Sequence, residues 1–161
     1  MTQTPSLNEI KKELSLLSSS ELMALCLRLA KHYKENKELL AYLIFELHNE
    51  DGFIAKTKQE IDKSFANLPM TTHLLKKALR KILKVTNKYI KFSGNKQTEV
   101  ELRIYFCSQM RVSGLLYYEN KVINSLYDNQ IIKIEKAISK LHDDLQYDYR
   151  KLVQDLESIH S

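Results

Sequence analysis

The residues with the most chemistry in the fewest positions are His142-Asp143-Asp144-Leu145-Gln146-Tyr147-Asp148-Tyr149. Asp144 and Asp148 stand four apart, as do Asp143 and Tyr147, so on a helix each pair shares a face. Two carboxylates and an imidazole are donor types suited to a divalent metal or to acid–base work. His142, Asp144 and Asp148 are therefore the positions to inspect for a metal. The commoner use of such a run is a helix start, where Asp meets bare N–H groups and the positive end of the dipole. A helical di-iron site needs two Glu-x-x-His motifs, and the chain has none. It also has no Gly-rich phosphate loop, no His-Glu-x-x-His and no Cys-x-x-Cys. No cofactor and no catalytic centre are expected. Cys26 and Cys107 lie in the apolar runs LMALCLRLA and IYFCSQM, which predicts two buried, inert free thiols. The five histidines, His32, His48, His73, His142 and His160, are scattered. Tyr117, Tyr118, Tyr127, Tyr147 and Tyr149 are of a type that lines binding grooves, though core packing is the commoner use.

A second pattern is electrostatic. On a helical wheel, Lys76, Lys77, Arg80, Lys81, Lys84, Lys88 and Lys91 fall within an arc of about 140°. Leu75, Ala78, Leu79, Ile82, Leu83, Val85, Tyr89 and Ile90 fill the other side, and residues 71–97 contain no acid. Like charges four apart cost a helix a few tenths of a kcal/mol each, so repeating them without an interleaved Glu suggests an anionic partner. Phosphate backbone, an anionic membrane surface and an acidic protein are the candidates; a solvated face over lysine stems is the bland alternative. Five acids in the last 22 residues (Asp143, Asp144, Asp148, Asp155 and Glu157) offer a further partner, in the same chain or in a second copy. Net charge is +5, with 25 basic residues of which only five are arginine. That balance favours contact with phosphate backbone over base reading.

These side chains need elements to hold them. Three glycines and two prolines in 161 residues are too few for a turn-rich β fold and predict long helices. Capping patterns at Ser6/Glu9 and Ser18/Glu21 open helices over residues 6–17 and 18–33. Asn36 is expected to cap a third helix to residue 48. There residues 39–45 are apolar on every face, which predicts a helix surrounded by protein. Asp51-Gly52 reads as a turn. Further helices are expected over residues 53–66, 72–92 and 98–112, the second starting at Thr71 or Thr72 and stopped by Gly94. Beyond Leu115 one unbroken helix would be too long for a small domain, so breaks are expected near residues 128–129 and 142–144. Ile131, Ile134, Ile138, Leu141 and Leu145 alternate steps of three and four, as a core-facing or coiled-coil stripe does.

Ala24, Leu25 and Leu29 match Ala78, Leu79 and Leu83, and residues 41–45 echo residues 102–106. The implied unit, an amphipathic helix followed by one apolar all round, resembles in architecture the stacked helix pairs of HEAT and armadillo solenoids. The expected fold is all-α with about seven to eight helices, a short αα-superhelix or an irregular bundle. A flexible tail (1–5) and a single helical domain (6–161) are expected. The polar start MTQTPSLNEIKKE and the short apolar run 39–45 point to no signal peptide, no transmembrane segment and a cytoplasmic location. The functional expectation is a non-enzymatic protein-interaction or scaffold module, with self-association or another protein as partner. The alternative is a non-specific nucleic-acid-binding protein using helix 72–92, and a third reading is an enzyme centred on residues 142–148.

Overall fold

Helix starts in this chain are set by side chains that accept from bare N–H groups. A computed structural model describes residues 4–117 and 120–158; the first three residues of the expected tail, Tyr118, Ile159 and His160 lie outside the described residues. Ser6 opens α1 (Leu7–Leu14): the Glu9 N–H donates to Ser6 Oγ at 3.3 Å, and the Ser6 N–H donates back to the Glu9 carboxylate at 2.7 Å. Ser18 and Glu21 repeat this exchange at α2 (Ser19–His32), at 3.4 and 2.8 Å. Asn36, by contrast, opens nothing. Its amide donates 2.8 Å to the carbonyl of Leu29 in α2, and α3 (Lys34–Ala41) begins after an extended Tyr33. A π-helical turn, Tyr42–Glu46, follows. Asp51 and Gly52 form no turn. They sit in the first turn of α4 (Glu50–Ala66), where Asn49 Oδ1 accepts from the Gly52 N–H at 3.1 Å. A Cβ at residue 52 would lie 2.4 Å from Asn49 Nδ2, so glycine makes room for the cap.

Helix α5 (Thr72–Ser93) stops on Gly94 as expected. Gly94 adopts φ 65°, which favours glycine, and its N–H donates to the Ile90 carbonyl. Asn95 then starts α6 (Lys96–Val112), ahead of the expected residue 98, by accepting from the Gln97 N–H at 2.8 Å. Helix α7 (Lys121–Ile138) runs straight through Asp128 and Asn129. Both face solvent there, where their poor helix propensity costs only tenths of a kcal/mol, and the buried Tyr127, Gln130 and Ile134 hold the helix on its inner side. The other expected break is present: α7 ends before Ser139, and α8 (Asp143–Glu157) begins after His142. The chain is thus all-α, with eight α-helices and no strand among the described residues. No helix among them is long and apolar enough to cross a membrane.

Packing divides the chain into two compact units, Met1–Phe45 and Glu46–Ser161. In the larger unit, α6 lies against α4, α5, α7 and α8. That explains why its centre carries apolar residues on every side: Val100, Leu102, Phe106, Cys107 and Met110 are all fully buried. Every surrounding helix contributes to the same core, with Ile61 and Phe65 from α4, Leu79 and Ile82 from α5, Ile134 and Ile138 from α7, and Val153 and Leu156 from α8. The stripe at Ile134 and Ile138 therefore serves this core. Two bonds anchor the end of α8: Tyr127 Oη donates to the Leu156 carbonyl at 2.8 Å, and Arg111 donates to the carbonyl of Asp155.

The smaller unit is different. Helices α1, α2 and α3 contain no buried residue, and of the π-helical turn only Tyr42 is buried. The run expected to be surrounded by protein leaves Leu43 44%, Ile44 55% and Phe45 75% exposed. The echo between residues 41–45 and 102–106 is thus one of sequence: Leu102 and Phe106 are wholly buried and their counterparts are not. Cys26, expected to be buried, is likewise exposed, because α2 has no core to enter; Cys107 is buried as expected. Truncating Phe106 to Ala is expected to destabilise the larger unit by about 3–5 kcal/mol. Phe45→Ala should change it by about 0.5 kcal/mol or less. Denaturant unfolding of the full chain, followed by far-UV circular dichroism, checks both values.

Candidate functional site

The basic face of α5 is built as the wheel requires. Leu79, Ile82, Thr86 and Ile90 are buried, and Thr86 Oγ1 donates to the Ile82 carbonyl at 3.0 Å, which removes its own polar atom from the core. On the other side Lys77, Arg80, Lys81, Lys84 and Lys91 are exposed and Lys76 is half-buried. None of these six forms an ion pair among the described residues. Lys88 is half-buried, with its ammonium 4.9 Å from the Tyr89 ring centre and 5.9 Å from that of Phe92. Among the described residues the C-terminal acids Asp143, Asp144, Asp148, Asp155 and Glu157 form no ion pair with this face, so of the two pairings they offered, the one within the same chain is not made there.

His142, Asp144 and Asp148 sit at the exposed start of α8. His142 Nδ1 is 3.9 Å from Asp144 Oδ2, with both side chains almost fully in water. Asp143 and Asp144 occupy the first turn, where the helix dipole favours them. No group of three or more His, Cys, Asp or Glu among the described residues is arranged to hold a metal.

The tyrosines divide. Tyr117 and Tyr147 are exposed, while Tyr127 and Tyr149 belong to the larger unit's packing. Burial pushes the Tyr127 hydroxyl up to about 12. Burial, then its hydrogen bond to Glu101 at 2.9 Å, does the same for Tyr149, also to about 12. Burial likewise raises the Cys107 thiol to about 12, and the nearby Arg103 charge only partly offsets this. At neutral pH these groups stay protonated, which suits packing and hydrogen bonding rather than proton transfer or nucleophilic attack.

Two features escape a reading of motifs. The first is a polar network inside the larger unit. Arg103, only 6% exposed, donates through Nε and Nη2 to Glu99 Oε1 at 3.0 and 2.9 Å. Its Nη1 donates to Asn87 Oδ1 at 3.0 Å and to Gln130 Oε1 at 2.7 Å. Lys96 adds an ion pair to Glu99 at 2.7 Å. The i,i+3 spacing of Lys96 and Glu99 and the i,i+4 spacing of Glu99 and Arg103 were its local signals; Asn87 and Gln130 are distant in sequence.

The second is the surface of the smaller unit. One apolar groove of about 550 Å³ runs between Pro5, Ile10, Leu14, Leu16, Leu17 and Leu25, with Glu9 and Glu13 on its rim. Another of about 590 Å³ is lined by Leu25 and Leu29 with Arg28, Lys31 and His32. Leu25 lines both, so the grooves adjoin.

The network yields a pH dependence. Burial works against ionised Glu99, but hydrogen bonds from Lys96 and Arg103 and their positive charges outweigh it and hold the carboxyl below its ordinary value of 4.5. A depressed folded-state pKa contributes stability that is present above pH 4.5 and is lost as pH falls through the lower folded value. Glu99→Gln should therefore flatten the stability profile below pH 4.5, read from urea midpoints between pH 3 and 6; an unchanged acid slope would contradict this assignment. In comparison with known proteins, no protein-family model matches this chain, and no curated protein or solved structure matches it either.

Proposed function

We propose that this chain is a non-enzymatic protein-interaction module whose binding element is the smaller, N-terminal unit. The observation that carries this reading is the apolar surface of that unit. Leu16 (78%), Met23 (65%), Leu27 (49%) and Leu29 (61%) are exposed on or beside helices that bury no residue. Apolar residues scattered singly need no explanation, but contiguous apolar grooves rimmed by charge mark interaction surfaces. Short helices such as α1 and α3 are marginal in water without tertiary packing, so a partner covering them supplies what the unit lacks. A benzophenone amino acid at Leu29, which lines one of the grooves, tests this in the cells that make the protein. Irradiation should give a discrete protein adduct there and none from a control probe at Met70, which is 98% exposed on the larger unit. Equal labelling from both positions, or none from Leu29, would sink the reading.

A second reading rests on a separate observation, the six bases of α5 that form no ion pair among the described residues. It makes that face a contact for nucleic-acid phosphates. Binding to duplex DNA or RNA should then weaken steeply with salt, with a slope of about −0.9 per phosphate neutralised on duplex DNA. The variant carrying Lys77→Glu, Arg80→Glu, Lys81→Glu and Lys84→Glu should lose that binding. Absence of binding at low salt would remove this reading.

A further inference from the structure

We infer that the partner of the N-terminal unit is a second copy of the same unit, joined about a two-fold axis so that the acid-rimmed face of each copy lies against the base-rimmed face of the other. The inference rests on the interaction reading above and names its occupant. Two observations carry it. The rims of the two grooves are opposite in charge, with Glu9 and Glu13 on one and Arg28, Lys31 and His32 on the other. Glu13, Arg28 and Lys31 form no ion pair among the described residues, so the charges beside these apolar grooves are available to a partner.

A two-fold interface is self-complementary: whatever patch one copy offers must fit a patch that the same chain also carries. A surface of one sign would repel its own copy, whereas adjoining faces of opposite sign attract twice, once on each side of the axis. Leu25, common to both grooves, falls near that axis, where the apolar contact is best shielded from water. The charged rims set the register and reject wrong pairings, and the leucines supply the apolar burial.

The test uses the full chain in sedimentation equilibrium. Glu9 stays unchanged because Ser6 engages its carboxylate in the helix cap. The wild type should be a dimer. Glu13→Lys alone, and Arg28→Glu with Lys31→Glu alone, should each weaken self-association by about tenfold or more, because each puts like charges across both halves of the interface. An equimolar mixture of the two variants should recover a heterodimer near wild-type affinity, since every face then meets its opposite again. That recovery also shows that the single variants are folded. A monomeric wild type would overturn the inference, as would a dimer indifferent to both charge reversals. The photo-adduct at Leu29 separates the two failures: an adduct with a different protein ends the self-pairing and leaves the interaction reading standing, whereas no adduct ends both.

Discussion

A guanidinium taken out of water must have its N–H groups met by acceptors, and the larger unit is arranged around that requirement at Arg103. Its acceptors come from three helices: Asn87 on α5, Glu99 on its own α6, and Gln130 on α7. Apolar packing is not directional; by itself it would tolerate small slides of α5 and α7 along α6. Hydrogen bonds of 2.7–3.0 Å to fixed positions on each helix do not. The network ties α5, α6 and α7 together at fixed positions, and Phe106, Ile134 and Ile138 of α6 and α7 are wholly buried in the core of the same unit. Around its edge, polar ties reach the remaining helices. Glu101 accepts from Tyr149 of α8 and pairs with Lys58 of α4, and Glu50 accepts from Ser93 and Thr98 where α5 turns into α6.

The smaller unit has no comparable organising group. It has well-made local structure, with two capping boxes and Asn36 closing the end of α2. What its helices lack is a buried residue. Local capping contributes about 1 kcal/mol per site, which does not offset the ordering of a chain segment whose helices bury nothing. One half is held by its own buried contacts; on the other, apolar grooves lie beside Glu13, Arg28 and Lys31, which form no ion pair among the described residues.

Local chemistry was readable in the sequence; environment was less so. Ser6/Glu9 and Ser18/Glu21 could be recognised because a capping box is complete within four residues. Gly94 was recognisable as a stop because the left-handed cap depends on one residue type. Asn36 misled because its side chain reaches back to Leu29 and closes the preceding helix, a choice that turns on the extended Tyr33 between them. The run 39–45 misled for a different reason. Apolar character on every face implies burial only if the chain supplies something to bury against, and α3 with its π-helical turn has no such cover for Leu43, Ile44 and Phe45. Cys26 failed in the same way. Of the candidate sites, the basic stripe of α5 could be read from spacing alone and is exposed as the wheel requires. The adjoining grooves were out of reach, since their opposite rims come from Glu13 on α1 and Arg28 and Lys31 on α2 and become neighbours only in the folded unit.

In the proposed reading, α4–α8 are held by their own core while α1–α3 gain theirs from a partner. Native-state amide hydrogen exchange of the full chain, followed over a range of protein concentrations, tests it most directly. Amides of α6 should exchange only through global unfolding at every concentration, and those of α1–α3 should exchange rapidly when dilute and gain protection as concentration rises. Protection of α1–α3 equal to that of α6 in dilute solution would contradict the account.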